Sequence, residues 1–172
     1  MNSTQLQLAG RFIGLLILQV LVFQQVPLGS GWFAYTQIIL YPVFILLLPL
    51  KTPPSLVILL AFLLGLGVDM FYDSPGIHAS ASVFMGWMRP TILRGISPMG
   101  GYDIDANPTK RKYGWFWFMQ YAGILLALHL FWYFCIEVFT PVYYDRILWR
   151  WVTSWSVSMI LVTLYQFIFD PK

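Results

Sequence analysis

The chain has 172 residues, of which 59% are apolar, 19% aromatic and only 10% charged, and its formal net charge is +3. Soluble domains are about half apolar and about a quarter charged. This composition therefore excludes a water-soluble globular protein, because so few polar residues could not cover its surface. Disorder is excluded too, because disordered chains are poor in aromatic residues and rich in charge. The sequence predicts an all-α, polytopic membrane protein with one transmembrane domain over residues 1–172.

Six apolar runs are long enough to cross the bilayer, whose hydrocarbon core of about 30 Å needs about 20 helical residues. In chain order they cover residues 8–26, 33–50, 55–72, 77–96, 115–139 and 147–169. They lack the alternation of polar and apolar residues that marks barrel strands, so they are predicted to be helices. The first run is the weakest, because Gln19, Gln24 and Gln25 interrupt it. No small-x-small cleavage site follows it, which predicts a retained span and not a signal peptide.

The loop charges predict that both termini lie in the cytoplasm. Cytoplasmic loops carry an excess of Lys and Arg. With six crossings, eight basic residues fall on one side and only Arg146 and Arg150 on the other. The eight are Arg11, Lys51, Arg89, Arg94, Lys110, Arg111, Lys112 and Lys172. The loop Ser97–Tyr113 is then cytoplasmic, and its Lys110–Lys112 run is predicted to contact anionic membrane lipids.

The hairpin between the third and fourth spans carries the most informative polar residues. Asp69 and His78 are nearly equidistant from the turn Asp73–Gly76, so they should face each other across the hairpin. They are interpreted either as a hydrogen-bonded pair that pins two helices or as a contact for a ligand or partner. Gly76 is predicted to supply the backbone freedom that Pro75 removes.

Small residues recur at four-residue spacing on both helices of this hairpin. Ala61, Gly65 and Asp69 share one helical face, and Ser82 and Gly86 share a face of the next span. Small faces let helix backbones approach closely where lipid supplies no hydrophobic drive. The third and fourth spans are therefore predicted to pack tightly.

Arg89 precedes Pro90 in the inner half of the fourth span, where a proline weakens helical hydrogen bonding. Two interpretations are open. Arg89 could snorkel to the inner surface, or it could be a fixed cation that binds a partner carboxylate or a lipid headgroup. Arg94 is predicted to lie at the surface.

The fifth span contains His129 at its middle and Glu137 near its outer end. His129 has no second ligand at helical spacing, which favours an interhelical hydrogen bond over a metal site. Glu137 is predicted to pair with Arg146 or Arg150 outside the membrane.

Motifs of several functional classes are missing from the sequence. It contains no phosphate-binding glycine loop and no G-x-S-x-G, H-E-x-x-H or C-x-x-C pattern. Its single cysteine, Cys135, excludes a disulfide within the chain. Three adjacent cations do not make a nucleic-acid surface. We therefore expect no enzymatic activity, no cofactor, no metal and no nucleic-acid partner.

Several stretches resemble the bacterial rod shape-determining MreD family. The resemblance begins with LLILQVLVFQQVPLGS and is strongest from Tyr41 to Arg94. Its diagnostic part is GLGVD, then the Gly76-x-His78-Ala79 pattern, then Arg89-Pro90. The segment GYDIDANP, followed by a span rich in Trp and Phe, most resembles members from the Bacteroidota.

The resemblance implies a non-enzymatic component of the bacterial inner membrane that helps to shape the cell wall. Members of this family bind the membrane-anchored protein MreC and work with MreB, RodA and penicillin-binding proteins. Their six-span fold is thought to be similar to the substrate-binding subunits of energy-coupling vitamin transporters. The residues carried over, as structural or partner-contact positions, are Asp69, Gly76, His78 and Arg89.

Two functions are therefore expected from the sequence. The first is a membrane scaffold that binds MreC and helps to direct peptidoglycan synthesis. The alternative is a small-solute transporter subunit of the vitamin type, in which groups near Asp69 and His78 hold a ligand. A scaffold should co-purify with MreC and its loss should round the cells, whereas a carrier should bind a small molecule and leave cell shape unchanged.

Overall fold

The computed structural model describes residues 3–26, 36–103, 106–138 and 144–169. Within these ranges the chain is all-α, as predicted, and contains no β-strand. The helices are α1 (Ser3–Ile17), α2 (Val43–Leu46), α3 (Pro54–Tyr72), α4 (Ile77–Gly95), α5 (Lys110–Tyr113), α6 (Trp115–Val138) and α7 (Tyr144–Phe169).

Four helical stretches are long and apolar enough to span a membrane. They are Leu6–Gln25, Pro54–Tyr72, Trp115–Val138 and Ile147–Phe169. They correspond to the first, third, fifth and sixth predicted spans, and they support a membrane protein. Helix α4 has 19 residues, which is also sufficient length, but polar residues such as His78 and Arg89 make it less apolar. The orientation of the chain and the number of crossings stay predictions, and Lys172 lies outside the described residues.

The prediction of a helical span over residues 33–50 is wrong for the part that the structure describes. Residues 36–40 have no regular secondary structure, only Val43–Leu46 form a helix, and residues 33–35 lie outside the described ranges. Pro42 explains the break, because it cannot donate a helical hydrogen bond and it disfavours helix at Tyr41. Residues 38–49 are nevertheless buried inside the bundle. We call residues 36–50 the buried segment.

Helix α1 continues beyond Ile17 with altered geometry. A π-helical turn spans Leu18–Val22 and a 3₁₀ turn spans Phe23–Gln25. Such π turns are rare and occur often where a side chain has a special role. Here the turn contains Gln19, which is fully buried. The glutamine that weakened the first predicted span is therefore part of its packing.

The close packing of α3 on α4 is confirmed, and Gly65 is its tightest point. A Cβ atom at Gly65 would lie 2.5 Å from the Cα of Ala79, so only glycine fits there. At Gly86 the nearest atoms, on Ala61 and Val57, are 3.5 Å away, which is ordinary contact. The turn that joins the helices contains Asp73 at φ 49° and Gly76 at φ 88°. The predicted role of Gly76 in the turn is confirmed.

The core of the bundle forms around α6 and the buried segment. Helix α6 packs between α4 and α7. Its fully buried side chains include Phe118, Tyr121 and Phe134. Because the buried segment and the inward side of α6 are enclosed, polar groups there must find partners within the protein.

Candidate functional site

Asp69 is the centre of a buried hydrogen-bond cluster at the turn between α3 and α4. Its Oδ1 accepts from the backbone N–H of His78 at 2.9 Å, from Ser74 Oγ at 2.9 Å and from His78 Nδ1 at 3.0 Å. Its Oδ2 accepts from the backbone N–H of Ala79 at 2.9 Å. The carboxylate thus caps the first turn of α4 from the neighbouring helix, where N–H groups have no helical acceptor. The predicted contact between Asp69 and His78 is confirmed.

Ser74, His78 and Asp69 have the composition of a nucleophilic triad but not its geometry. In such a triad the serine and the carboxylate face opposite ring nitrogens. Here Ser74 Oγ and Asp69 Oδ1 both lie 3.0 Å from the same atom, His78 Nδ1. The arrangement cannot relay a proton from Ser74 through the ring. Its hydrogen bonds instead hold the turn between α3 and α4 together.

The other face of His78 lies among aromatic rings. The centroids of Tyr133, Tyr72 and Tyr41 lie 4.8, 4.9 and 5.9 Å from that of the imidazole. His78 Nε2 is buried and has no hydrogen-bond partner within the part of the chain that the structure describes. Asp69 holds Nδ1 as the donor, which leaves Nε2 as the ring nitrogen open to another polar group.

A second buried group extends from this cluster towards α6. Tyr41 Oη lies 3.0 Å from His129 Nε2 and 3.3 Å from Ser82 Oγ. Ser82 also donates to the carbonyl of His78 at 2.7 Å. His129 therefore makes a hydrogen bond, as predicted, but its partner belongs to the non-helical buried segment, so the prediction of an interhelical bond is wrong.

The part of the buried segment that precedes α2 is held by side chains. Gln19 donates to the carbonyl of Ile38 at 2.8 Å and accepts from the N–H of Leu40 at 2.8 Å. On the other side, Ser154 and Ser158 of α7 accept from the N–H groups of Gln37 at 2.9 Å and Ile39 at 3.0 Å. Non-helical backbone is tolerated at membrane depth only when buried in protein and satisfied there, and these three side chains provide that.

Arg89 is 3% exposed, so its predicted snorkelling to the surface is wrong. Its Nε donates to Tyr121 Oη at 2.8 Å, and its Nη2 donates to the carbonyl of Leu48. Tyr121 in turn donates to the carbonyl of Leu46 at 3.1 Å. These are carbonyls at and just after the end of α2, where cations are favoured. The carbonyls at the end of this short helix thus hold the guanidinium inside the bundle. Arg94, by contrast, is exposed, as predicted.

An ion pair joins the carboxyl end of α6 to α7. Arg150 lies 3.0 Å from both carboxylate oxygens of Glu137, and both side chains are partly exposed. The predicted pairing of Glu137 with Arg146 or Arg150 is confirmed for Arg150, whereas the side chain of Arg146 lies outside the described part of the structure. Gln37 also approaches Glu137 at 3.5 Å, which joins the buried segment to this pair.

The loop before α6 packs through aromatic and charged contacts. Tyr102 donates to the carbonyl of Leu93 at 2.8 Å, and Trp117 donates to that of Ile96 at 3.0 Å. Lys112 lies 2.7 Å from Asp103, and this hydrogen bond and charge raise the pKa of its ammonium group. The loop contains the short helix α5, which the sequence analysis did not predict.

The sequence analysis assigned no role in the site to Gln19, Tyr41, Tyr121, Ser154 and Ser158. Gln19 had a detectable signal, because a buried amide in an apolar span needs a partner. Tyr41 and Tyr121 had none, because tyrosines are common in such a chain. Of the four carried-over residues, the structure brings Asp69, Gly76 and His78 together at one turn. It places Arg89 farther along α4, in a separate group with Tyr121.

Within the described residues no group of three or more His, Cys, Asp or Glu could hold a metal ion. Comparison with known proteins finds no matching family model, no matching curated protein and no matching solved structure.

Proposed function

We propose that the chain is a scaffold of the cell-wall elongation machinery in the bacterial inner membrane. In this role it binds MreC and helps to position MreB, RodA and a penicillin-binding protein during peptidoglycan synthesis. The proposal rests on the resemblance to the MreD family and on where the residues that carry it lie in the fold.

The observation that carries the proposal is the bonding of Asp69. Its carboxylate is engaged by four donors of its own chain. A catalytic or ligand-binding carboxylate needs free acceptor capacity, whereas a structural one is satisfied internally. The most distinctive part of the resemblance therefore builds a rigid helix pair. A rigid pair suits a protein whose outer surfaces hold partners in place.

Arg89 supports the same conclusion. Its guanidinium is bonded to Tyr121 and Leu48 of its own chain and is 3% exposed. It fixes the buried segment against α4 and α6. The two most distinctive polar groups of the hairpin thus both hold the chain together, which is what a scaffold requires.

Co-purification tests the proposal. We expect MreC, co-produced with the tagged chain, to be retained through detergent solubilisation, and depletion of the chain to round the cells. An unrelated tagged membrane protein serves as the control. Absence of MreC from the purified sample, together with normal cell shape after depletion, would contradict the proposal.

His78 Nε2 favours the second candidate, a solute-binding transporter subunit. This buried nitrogen among three tyrosine rings has no partner within the described residues, so a polar group of a ligand could bind it. A thermal-shift screen of the purified chain with water-soluble vitamins tests this candidate. A saturable stabilisation that His78→Phe abolishes would support it, and no stabilisation by any of them would count against it.

A further inference from the structure

Helices α3 and α4 form one hairpin but expose different surfaces. The exposed large side chains of α3 are all apolar: Leu56, Leu59, Phe62, Leu63, Leu66, Met70 and Phe71. The outward residues of α4 recur at three- and four-residue spacing and include polar groups. They are Ser80, Val83, Phe84, Trp87, Thr91 and Arg94, and we call them the α4 outer face. Of these, Trp87, Thr91 and Arg94 are exposed and the others are partly exposed.

Hydrocarbon suits the exposed side of α3 but not the α4 outer face. Lipid tails offer no hydrogen-bond partner to the indole N–H of Trp87 or the hydroxyl of Thr91. The Ser80 hydroxyl and the Arg94 guanidinium, by contrast, donate to carbonyls of their own helix. Trp87 is 58% exposed and lies about 15 Å along α4 from Ile77, at 1.5 Å per residue. Indoles prefer the wet boundary of the bilayer, so a half-exposed indole in the middle of this helix indicates a covering protein surface.

An aromatic platform extends the α4 outer face onto α6. The ring of Phe84 stacks on that of Trp132, with centroids 4.4 Å apart and planes at 15°. Trp87 lies beside it, at 6.1 Å from Phe84. These rings form one continuous aromatic surface, and another helix can lie against it if that helix presents small residues.

We propose that the α4 outer face binds the transmembrane helix of a partner protein. This rests on the proposed scaffold function and names the surface that performs it. The partner helix carries small or hydroxyl-bearing residues opposite the aromatic platform and Thr91. At the depth of Arg94 it carries an acidic side chain that pairs with the guanidinium.

The charge of Arg94 argues for a different protein and against a second copy of this chain. Two copies in one membrane are related by a two-fold axis along the membrane normal, which brings equal depths together. Contact through the α4 outer face would then place Arg94 against the Arg94 of the other copy. Two guanidinium groups held in contact across an interface repel each other, whereas a partner with an acidic residue is attracted.

Photo-crosslinking in living cells tests the surface. Benzoylphenylalanine is introduced at Trp87 or, as the matched control, at Leu63 on the exposed side of α3, in cells that co-produce MreC. We expect a single adduct of the chain with MreC from position 87 and none from position 63. An adduct between two copies of the chain, a reversed pattern, or no protein adduct from position 87 would overturn the proposal.

Two substitutions separate this inference from the scaffold proposal. We expect Trp87→Leu and Arg94→Glu each to reduce the retained MreC by about tenfold, which corresponds to about 1.4 kcal/mol of binding, while Phe62→Leu leaves it unchanged. Retention of MreC by all three variants would overturn the docking surface and leave the scaffold proposal standing. Failure of the unsubstituted chain to retain MreC would overturn the scaffold proposal itself.

Discussion

Asp69 on α3 accepts hydrogen bonds from both the ring and the backbone of His78 on α4, at 3.0 and 2.9 Å. The same carboxylate also caps Ala79. One side chain therefore fixes both the distance between the two helices and the start of the second. These hydrogen bonds explain how an acidic side chain can be buried between two apolar helices.

We expect the double variant Asp69→Ala, His78→Ala to lose little more stability than either single variant. Removing the carboxylate leaves two buried N–H groups without acceptors, at about 1–3 kcal/mol each. Once it is gone, loss of the imidazole removes no further bond to it. Reversible unfolding in detergent, analysed as a double-mutant cycle, measures the coupling. Fully additive free energies would show that the two residues do not interact.

Gly65→Ala should destabilise the hairpin, whereas Gly86→Ala should not. The added methyl at Gly65 would meet the backbone of Ala79 at 2.5 Å and force the helices apart. At Gly86 the nearest atoms are 3.5 Å away, and alanine favours helix over glycine by about 1 kcal/mol. Thermal unfolding of both variants in one detergent checks the contrast. Equal loss of stability would mean that the close approach at Gly65 is not as described.

The hairpin could be predicted because its evidence is local. The symmetric placement of Asp69 and His78 about a Pro-Gly turn, and the small residues on facing sides, depend only on helix periodicity. The buried segment could not be predicted in the same way. A fully buried stretch has no polar face, so its apolar run is the same whether it is helical or irregular. Pro42 was not used to predict a break, and the partners that make the break tolerable, Gln19 and Ser158, lie far away in sequence.

The environment of Arg89 also depended on long-range partners. Snorkelling is the usual behaviour of an arginine near a membrane surface, and the sequence showed no carboxylate to hold it. Arg89 donates directly to the carbonyl of Leu48 and is linked through Tyr121 to the carbonyl of Leu46. These carbonyls are available only because the buried segment ends its short helix beside α4.

Arg89→Lys should destabilise the protein by about 1.5–3 kcal/mol, the range for hydrogen bonds to charged groups. A lysine ammonium cannot reproduce the planar fork that reaches Tyr121 and Leu48 together. Arg94→Lys is the matched control, because Arg94 is exposed on the same helix and surface substitutions change stability by about 0.5 kcal/mol or less. Equal stability of the two variants would contradict the buried position of Arg89.

The loop before α6 should face the cytoplasm. Met99 is fully exposed at its tip, so Met99→Cys in a Cys135→Ala background reports its side of the membrane. We expect an impermeant maleimide to label this cysteine only after the cells are lysed. A cysteine introduced by Pro75→Cys, in the turn between α3 and α4, should be labelled in intact cells. Labelling of position 99 in intact cells would reverse the predicted orientation.

Ser154→Ala and Ser158→Ala should each destabilise the protein, although serine to alanine is a small change on a helix. The hydroxyls accept from the buried N–H groups of Gln37 and Ile39. Losing either acceptor leaves an unsatisfied donor, which costs about 1–3 kcal/mol.

Ser156 is the matched control on the same helix, because it is exposed and its hydroxyl donates to the carbonyl of Val152. Ser156→Ala should therefore be neutral or slightly stabilising, since alanine is the better helix former. Unfolding free energies of the three variants decide the matter. If Ser156→Ala proved as costly as the other two, the loss would reflect the serines' place on α7 and not their hold on the buried segment.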